Sequence, residues 1–225
     1  FLQELDSHLP GNSIIIPDEG GNLVWTMQSI KIKGEQKLYS NFGNSSMGYG
    51  LPSAIGACMG KKDLGPVICI DGDGGFQMNI QELATVMHHN LPIKIFIYNN
   101  DGYLTIKQTQ ELGFKGRIMG SNKKSGLSFP DYKKISDSYK IKYFKLSNHL
   151  RLKQNIKKIL SAKGPVICEV IMDKSQEQMP KAINRRDSSG KSIPTTFEDM
   201  HPFLSKKELL ESTFKYYKQN VERKK

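Results

Sequence analysis

The strongest constraint on the fold is a pair of polar turns, each of which directly follows an apolar run of strand length. The first turn, DGDGG at 71–75, follows the apolar run VICI and precedes a helical pattern. The second turn, NNDG at 99–102, follows the apolar run IKIFIY. Strand and helix patterns that alternate in this way predict a parallel sheet. Because open α/β sheets bind ligands at the carboxyl ends of their strands, we expect Asp73 and Asn100 to lie side by side at that edge.

The residue types in these turns suit a magnesium ion bound to a diphosphate. Mg²⁺ takes one or two protein oxygens, here those of Asp73 and Asn100, and completes its coordination with phosphate oxygens and water. The glycines let the backbone approach a phosphate, and the N–H groups of the following helix would face the anion. The alternative is a tight turn in which Asp73 only caps a helix. The spacing of the two turns favours the metal site.

With these residues in place, the sequence resembles the thiamin-diphosphate-dependent enzymes. GDG at 72–74 with NN at 99–100 is similar to the signature of that family. The runs GDGGFQMNIQELAT, NLPIK at 90–94 and MGYGLPSAIGA at 47–57 resemble its acetolactate (acetohydroxyacid) synthase branch. The resemblance extends from residue 14 to residue 170. It implies the diphosphate-binding domain of the family, a doubly wound α/β fold whose mainly parallel sheet carries helices on both faces.

The resemblance also implies roles for individual residues. The metal ligands would be the Asp73 carboxylate, the Asn100 side chain and the backbone carbonyl of Gly102. Met47 would be the apolar wedge that bends thiamin diphosphate into a V shape. The backbone carbonyl of Ser45, where the family usually has glycine, would accept a hydrogen bond from the cofactor's amino group. The remaining residues of the cofactor-binding set would be Gly20, Asn22, Gly72, Gly74, Gly75 and Tyr103.

The turn after the first predicted strand departs from the family pattern. In the synthases, the loop that matches residues 20–23 carries a Gln-His-Gln run that helps to hold the diphosphate. Here GNL at 21–23 replaces that run. The departure argues against a standard branched-chain amino-acid synthase, and it leaves Asn22 to donate one hydrogen bond.

Periodic patterns extend the alternation of strands and helices along the chain. After the first polar turn, we expect a helix with Ile80, Leu83, Ala84 and Met87 on one apolar face. The other predicted helices are 1–9, 24–30, 130–140 and 148–162, and the other predicted strands are 13–16, 141–146 and 165–171.

The segment after the second polar turn is expected to act as a cover for the site. A helical pattern begins near Tyr103 and gives way to the glycine-containing run 113–122. We expect this segment to be mobile without cofactor and to close over the site with it. Tyr103, Ile106 and Gln110 are the candidates for the substrate side of the site.

The composition changes after residue 172, where the chain becomes polar and irregular. We therefore expect a thiamin-diphosphate domain at 1–172 and a C-terminal tail at 173–225, which would serve as a lid or an inter-subunit clasp. A helical pattern returns at 206–217. The run TFEDMHPFL at 196–204 resembles the tails of synthase-like proteins of polysaccharide and unusual-sugar pathways.

Composition and charge exclude other classes of protein. The chain lacks the run of about 18 apolar residues that a transmembrane helix needs, so no membrane span is expected. Cys58, Cys69 and Cys168 lie in apolar segments without metal-type spacing, which indicates free thiols in a reducing cytoplasm. The net charge of +11 is compatible with nucleic-acid binding. However, the lysines are scattered without an aromatic-interleaved stripe, so no nucleic-acid partner is predicted.

The resemblance implies a transferase that acts as a carboligase. The whole enzyme would decarboxylate pyruvate or a related 2-oxo acid and ligate the acyl carbanion to a second carbonyl. In the family, the activating glutamate lies on a separate pyrimidine-binding domain of the same or a partner chain. No strand–Glu–helix unit of this sequence replaces it, and Glu82 and Glu111 are the nearest candidates. The chain is therefore expected to supply no catalytic residue and to be incomplete alone.

The resemblance leaves several points open. The chain would be either the domain of a larger synthase or one subunit of a split one. A homodimer or larger homo-oligomer is expected, and FAD would belong only to the full-length enzyme. The alternatives are a 2-oxo-acid decarboxylase of the same superfamily, which would release an aldehyde, and a non-catalytic subunit used for assembly.

Overall fold

The structure is a computed structural model that describes residues 1–60 and 65–213 of the 225-residue chain. The chain divides between Gln176 and Glu177 into two compact units. The first unit is an α/β domain, and the described part of the second is mainly irregular. A boundary at residue 172 and a lid or clasp role for the tail stay predictions.

Strands and helices alternate along the first unit, as the sequence predicts. Its strands are β1 (Ile14–Pro17), β2 (Lys37–Leu38), β3 (Val67–Gly72), β4 (Ile93–Asn99), β5 (Lys142–Leu146) and β6 (Val166–Ile171). Its helices are α1 (Leu2–His8), α2 (Gly21–Ser29), α3 (Gly50–Gly60), α4 (Asp73–Met78), α5 (Leu83–His88), α6 (Leu104–Gly113), α7 (Tyr132–Ser138) and α8 (Leu152–Ser161), with 3₁₀ turns at Ile80–Glu82 and Lys123–Ser125.

The strands of the first unit form one parallel sheet in the order β2-β1-β3-β4-β6-β5. Every neighbouring pair is parallel. β1 leads to β2 on one side and lies next to β3 on the other, so the strand order reverses between β1 and β3. In open α/β sheets, such a switch point is where ligands bind, outside the carboxyl ends of the strands. The predicted doubly wound α/β fold is confirmed.

Alternate residues along the strands supply two separate cores, one on each face of the sheet. On β4, Ile93, Ile95 and Ile97 pack with α3, α4, α5 and α7. Phe96 and Tyr98 of the same strand pack on the opposite face, with α1 and α8. Helices therefore cover both faces of the strands, and the turns at the strand ends can bring further polar side chains together.

The helix after the first polar turn differs from the prediction. α4 ends at Met78, Asn79 has a non-helical φ of −134°, and a 3₁₀ turn separates α4 from α5. This interruption changes the face that α5 presents to the sheet: Leu83 and Val86 are buried. Ala84 is exposed and Met87 has 42% of its surface exposed, so the prediction of a continuous apolar face through these two residues is wrong.

The second unit contains little regular structure among its described residues. β7 (Arg185–Arg186) pairs antiparallel with β8 (Ser192–Ile193), and residues 206–213 are helical. The last four residues of the helix predicted at 206–217 lie outside the described part. Arg185 donates two hydrogen bonds of 2.6 Å to the Asp199 carboxylate, a bidentate pair that ties residues 14 positions apart. In the described part of the chain, every helix is too short or too polar to cross a membrane.

Candidate functional site

A cavity of about 220 Å³ lies at the carboxyl edge of the sheet, where the turns after β1, β3 and β4 meet. Its position at the switch point is the one expected for a ligand site of this fold. All eleven residues of the predicted cofactor set line it: Gly20, Asn22, Ser45, Met47, Gly72, Asp73, Gly74, Gly75, Asn100, Gly102 and Tyr103. The structure therefore brings the predicted residues together, while their binding roles stay predictions.

Asp73 is the first residue of α4, and its side chain is almost fully buried at the base of the cavity. Its Oδ2 accepts hydrogen bonds from the backbone N–H of Asn100, at 3.1 Å, and of Gly102, at 3.2 Å. Burial raises the pKa of Asp73 to about 7, although hydrogen bonds from these N–H groups and those of Asp101 and Gly74 act in the opposite direction. A cation beside this carboxyl would favour its charged form.

The donor set around Asp73 fits a metal that brings its own oxygen ligands. Asn100 and Gly102 lie on the turn that hydrogen-bonds to the Asp73 carboxylate. Residues 1–60 and 65–213 contain no group of three His, Cys, Asp or Glu side chains that could hold a metal ion without help. One carboxylate with neutral oxygens beside a cavity is what Mg²⁺ uses when phosphate oxygens and water complete its coordination.

Two glycines keep the backbone of the first polar turn free of side chains. A Cβ atom at Gly74 would lie 2.1 Å from Cε1 of Tyr103. A Cβ atom at Gly75 would lie 2.1 Å from Oδ2 of Asp18 and 2.6 Å from Oδ1 of Asp71. The start of α4 is therefore packed between an aromatic ring and two carboxyl groups. This leaves backbone, and no side chain, to face a ligand there.

Tyr132, at the start of α7, contacts the first turn of α4. Its hydroxyl donates a 3.0 Å hydrogen bond to the backbone carbonyl of Asp73, and its ring makes an edge-on contact with Phe76. Burial, together with the charge of Asp73, raises the pKa of the Tyr132 hydroxyl, so this group remains a donor. α7 therefore helps to fix the position of the Asp73 backbone.

Asp18 links the turn after β1 to the loop that carries Met47. Its Oδ2 accepts from the N–H of Gly48 at 3.1 Å and its Oδ1 from the N–H of Gly50 at 2.9 Å, at the start of α3. Burial, together with the adjacent Asp18, raises the pKa of Asp71 well above its usual range. The Asp18 carboxyl thus accepts from two backbone N–H groups of the loop that carries Met47.

The loop that carries Ser45 and Met47 has an unusual backbone conformation. Ser45 has a φ of +51°, in the left-handed region where glycine is favoured. This conformation explains why a glycine would suit the position. Met47 is half-buried and lines the cavity, and the neighbouring Gly48 carbonyl accepts a 2.7 Å hydrogen bond from Asn79 Nδ2.

A buried carboxylate on β6 supports the second polar turn from below. Asn99 Nδ2 donates a 2.6 Å hydrogen bond to Oε1 of Glu169, and Asn99 Oδ1 accepts from the N–H of Asp101 at 3.1 Å. Tyr143 donates to the other oxygen of Glu169, and Lys145 lies 3.5 Å from it. The Asn99 side chain therefore anchors the turn that carries the proposed metal ligands to the neighbouring strand.

The turn after β1 is less fully hydrogen-bonded than the turn that carries Asp73. Gly20 has a φ of +95° and leads into α2. Asn22 is only 3% exposed, and its Nδ2 donates a 2.8 Å hydrogen bond to the backbone carbonyl of Glu19. Asn22 Oδ1 and Glu19 Oε2 are buried without a hydrogen-bond partner. The Asn22 side chain thus donates to its own loop through Nδ2, and its acceptor atom, Oδ1, has no partner.

Several residues of the cavity were not in the predicted set. Ile106 lines the cavity as predicted, but Gln110 does not; its side chain instead bonds to Met119 and Ser121 of the loop after α6. Glu19 was not predicted as a lining residue, although its position next to the glycine that follows β1 could have indicated this role. The other unpredicted lining residues lie close in sequence to predicted positions or at strand ends: Gly21, Trp25, Tyr98, Leu104, Thr105 and Met172.

Comparison with known proteins identifies the family. Residues 18–170 match the family described as thiamine pyrophosphate enzyme, C-terminal TPP binding domain. The chain belongs to this family, in its acetolactate synthase-like branch, and the predicted resemblance is confirmed.

Several curated relatives are named acetolactate synthase. The chain is 36% identical over 175 residues to the acetolactate synthase large subunit of Cyanidium caldarium, covering 77% of the chain and 29% of that protein. It is 32% identical over 183 residues to acetolactate synthase 1, chloroplastic, of Nicotiana tabacum, covering 80% and 27%. It is 35% identical over 170 residues to the probable acetolactate synthase large subunit of Methanococcus aeolicus, covering 76% and 28%. The matched region spans under a third of each of these relatives.

Proposed function

We propose that the chain binds thiamin diphosphate through a magnesium ion held by the Asp73 carboxylate, the Asn100 side chain and the Gly102 carbonyl. The observation that carries the proposal is the buried Asp73 carboxylate at the sheet edge, with the 99–102 turn folded around it. Gly74 and Gly75 would place backbone N–H groups against the diphosphate. A buried carboxyl beside glycine turns and a helix start is a setting in which a cation and an anion can bind together.

The other residues of the cavity would orient the cofactor. Met47 would support its bent conformation, and the Ser45 carbonyl would accept from its amino group. Gly20, Asn22 and Tyr103 would close the remaining sides of the cavity. When bound, thiamin diphosphate supplies the stabilised carbanion chemistry, and this chain supplies binding, orientation and exclusion of water.

The whole enzyme would act as an acetolactate synthase-like carboligase. It would decarboxylate pyruvate or a related 2-oxo acid and ligate the acyl group to a second carbonyl. Glu82 accepts a hydrogen bond from Thr85, Glu111 pairs with Lys107, and neither lines the cavity. Neither of these two glutamates is placed to activate the cofactor, and the resemblance to the family supports an activating glutamate on a separate pyrimidine-binding domain, in the same or a partner chain.

The remaining features of the whole enzyme are proposals of the same kind. We expect a homodimer or a larger homo-oligomer, a cytoplasmic location, and FAD only in a full-length enzyme. An acceptor from unusual-sugar or polysaccharide synthesis stays a prediction that depends on the tail sequence alone.

One observation supports a second candidate function. The Gln-His-Gln run of the synthases is absent from residues 21–23, and Asn22 uses its amide donor within its own loop. A 2-oxo-acid decarboxylase of the same superfamily is therefore the alternative. The test is product analysis with pyruvate, Mg²⁺ and thiamin diphosphate, using the chain together with a pyrimidine-binding domain. An acetolactate-type product supports the carboligase, free acetaldehyde supports the decarboxylase, and turnover by this chain alone would contradict the proposal that it is incomplete.

A further inference from the structure

Buried polar atoms without a partner are concentrated at the cavity. Within the described ranges 1–60 and 65–213, these side-chain atoms are Glu19 Oε2, Asn22 Oδ1, Tyr98 Oη and Asp71 Oδ2. Glu19, Asn22 and Tyr98 all line the cavity, whereas Asp71 is not among its lining residues. Because folded proteins rarely leave buried polar atoms unpaired, atoms of this kind at a cavity wall indicate where a bound group completes the hydrogen bonds.

The chemistry of Glu19 and Asn22 restricts the bound group. The Asn22 amide nitrogen donates one of its two N–H groups to the Glu19 carbonyl, whereas its oxygen has no partner. A carboxylate oxygen and an amide oxygen both accept hydrogen bonds. The oxygens of a diphosphate are acceptors too, and their negative charge would be repelled by Glu19. The group that pairs with these two residues is therefore a donor.

We propose that Glu19 and Asn22 form a donor-binding subsite beside the diphosphate site, which takes an amine or hydroxyl group of the bound ligand. The subsite lies at the end of β1, while the metal site lies at the ends of β3 and β4. The two adjoin through Gly72, where an added Cβ would lie 3.5 Å from Asn22 Nδ2. A ligand that reaches both would combine an anionic end with a donor group.

Two sources supply this donor chemistry, and the inference rests on the proposed function in both cases. One is the amino group on the pyrimidine ring of the cofactor. The other is a hydroxyl group of the substrate. A cofactor donor would be present in every complex with thiamin diphosphate, whereas a substrate hydroxyl would set which acceptor aldehydes are bound. The two sources predict different effects of the same substitution.

The first experiment measures ligand affinity of the 225-residue chain by calorimetry. Wild type, Glu19→Val and Glu19→Gln are titrated with thiamin diphosphate and, separately, with inorganic diphosphate, both in the presence of Mg²⁺. Glu35, which is exposed, provides the matched control Glu35→Val. Removal of the Glu19 charge should leave inorganic diphosphate binding unchanged or a few-fold tighter. If the donor belongs to the cofactor, Glu19→Val should weaken thiamin diphosphate binding by roughly tenfold, while Glu35→Val changes neither affinity.

The second experiment addresses a substrate donor. The chain loaded with thiamin diphosphate is titrated with glyceraldehyde, which carries two hydroxyl groups, and with propanal, which carries none. If the donor belongs to the substrate, wild type should bind glyceraldehyde several-fold more tightly than propanal. Glu19→Val should remove that preference without weakening cofactor binding.

Two results would overturn the donor-binding subsite alone. One is an equal loss of inorganic diphosphate and thiamin diphosphate binding in Glu19→Val, which would make Glu19 a support of the diphosphate site. The other is an absence of any Glu19-dependent preference in both experiments. If the folded wild-type chain binds neither diphosphate compound, the proposed function falls together with the subsite.

Discussion

The turns after β3 and β4 differ from the turn after β1, at the same edge of the sheet, in how completely their polar atoms are paired. In the turns after β3 and β4, the Asp73 carboxylate accepts hydrogen bonds from backbone N–H groups. The Asn99 amide both donates, to Glu169, and accepts, from the N–H of Asp101. In the turn after β1, Glu19 and Asn22 each keep an unpaired buried oxygen. Apart from Asp71 Oδ2, which is buried without a partner, these side chains of the first pair of turns are bonded within the protein itself. The turn after β1 has hydrogen-bonding capacity left for a ligand.

The difference separates two tasks that one cavity can perform. A metal and diphosphate site has to hold its charged ligand in one geometry, so preorganised backbone and fixed side chains favour binding. A subsite that distinguishes ligands needs unpaired groups, because a ligand without the matching donor then leaves them unsatisfied. We therefore expect substitutions in the paired turns to weaken binding of any diphosphate ligand. Substitutions of Glu19 should act selectively.

Replacement of Asp73 is expected to have the largest effect on the paired side of this comparison. Asp73→Ala removes the only carboxylate of the proposed metal site and should weaken Mg²⁺-dependent thiamin diphosphate binding by roughly 100-fold, since each tenfold is about 1.4 kcal/mol. Asp137→Ala, which removes an exposed partner of Lys133, should leave affinity unchanged. Calorimetry measures both variants, and circular dichroism checks that they are folded. Unaltered affinity in Asp73→Ala would dismiss the metal assignment.

Loss of the Glu169 carboxylate should have the next largest effect. Glu169→Leu keeps the bulk of the side chain but leaves the part-buried donors of Asn99 and Tyr143 without this acceptor. We expect the free energy of unfolding to fall by roughly 1–3 kcal/mol and thiamin diphosphate affinity to fall several-fold. Urea denaturation and calorimetry measure the two effects.

The control for Glu169 is Lys145→Met, which removes an exposed cation on the same carboxylate. Its effect on stability should stay within about 0.5 kcal/mol. Equal losses in the two variants would show that charge, and not the hydrogen bonds to the turn, explains the role of Glu169.

A smaller effect is expected from the hydroxyl that supports α4. Tyr132→Phe removes one buried hydrogen bond, to the Asp73 carbonyl, and should lower the free energy of unfolding by about 1 kcal/mol. Cofactor affinity should decrease two- to threefold, on the order expected for a fraction of that energy. Tyr39→Phe, at a side chain with 46% exposure, is the matched control and should change neither quantity. If Tyr132→Phe matches this control, the contact does not position Asp73.

The last prediction concerns a buried group that is paired but lies at the opposite end of β4, where it should affect stability and leave the cavity unchanged. The Lys94 ammonium donates to the carbonyls of Ala162 and Gly164, and burial lowers its pKa from 10.5 to about 8. Between these values the unfolded chain binds more protons than the folded one, so stability should rise with pH through this window. Lys94→Met lacks this group.

The measurement for Lys94 is the difference in free energy of unfolding between wild type and Lys94→Met, followed from pH 7.5 to pH 10 by urea denaturation. The difference should shift in favour of wild type as pH rises, because all other titrating groups cancel. A pH-independent difference would mean that the pKa of Lys94 is not lowered by folding.

The sequence was sufficient to predict the parts of the site that lie at the ends of strands. Asp73 and Asn100 each follow an apolar run, and the sheet register alone brings such positions together. The prediction that Ala84 and Met87 are on the apolar face was wrong, because the local sequence pattern does not indicate that one helix ends at Met78 and another begins at Leu83. Tyr98 had the pattern of a core residue, and its place at the cavity wall depends on which face β4 turns toward α1 and α8.

The sequence was equally unable to predict that one oxygen of Glu19 lacks a hydrogen-bond partner. Whether a glutamate beside a glycine turn is solvated or unpaired depends on atoms from other elements, which only the folded chain brings near. The same holds for Asp18 and Asp71, whose contact results from the pairing of β1 with β3. Motifs thus indicate which groups gather at the edge of the sheet, whereas the pairing of each group depends on three-dimensional packing.

The most direct test of the metal–diphosphate site is a calorimetric titration of the folded 225-residue chain with thiamin diphosphate, in MgCl₂ and again in excess EDTA. We expect saturable one-to-one binding in Mg²⁺ and a loss of roughly 100-fold or more in affinity when the metal is removed. Equal affinity in the two conditions, or the absence of binding in Mg²⁺, would contradict the proposed metal–diphosphate site.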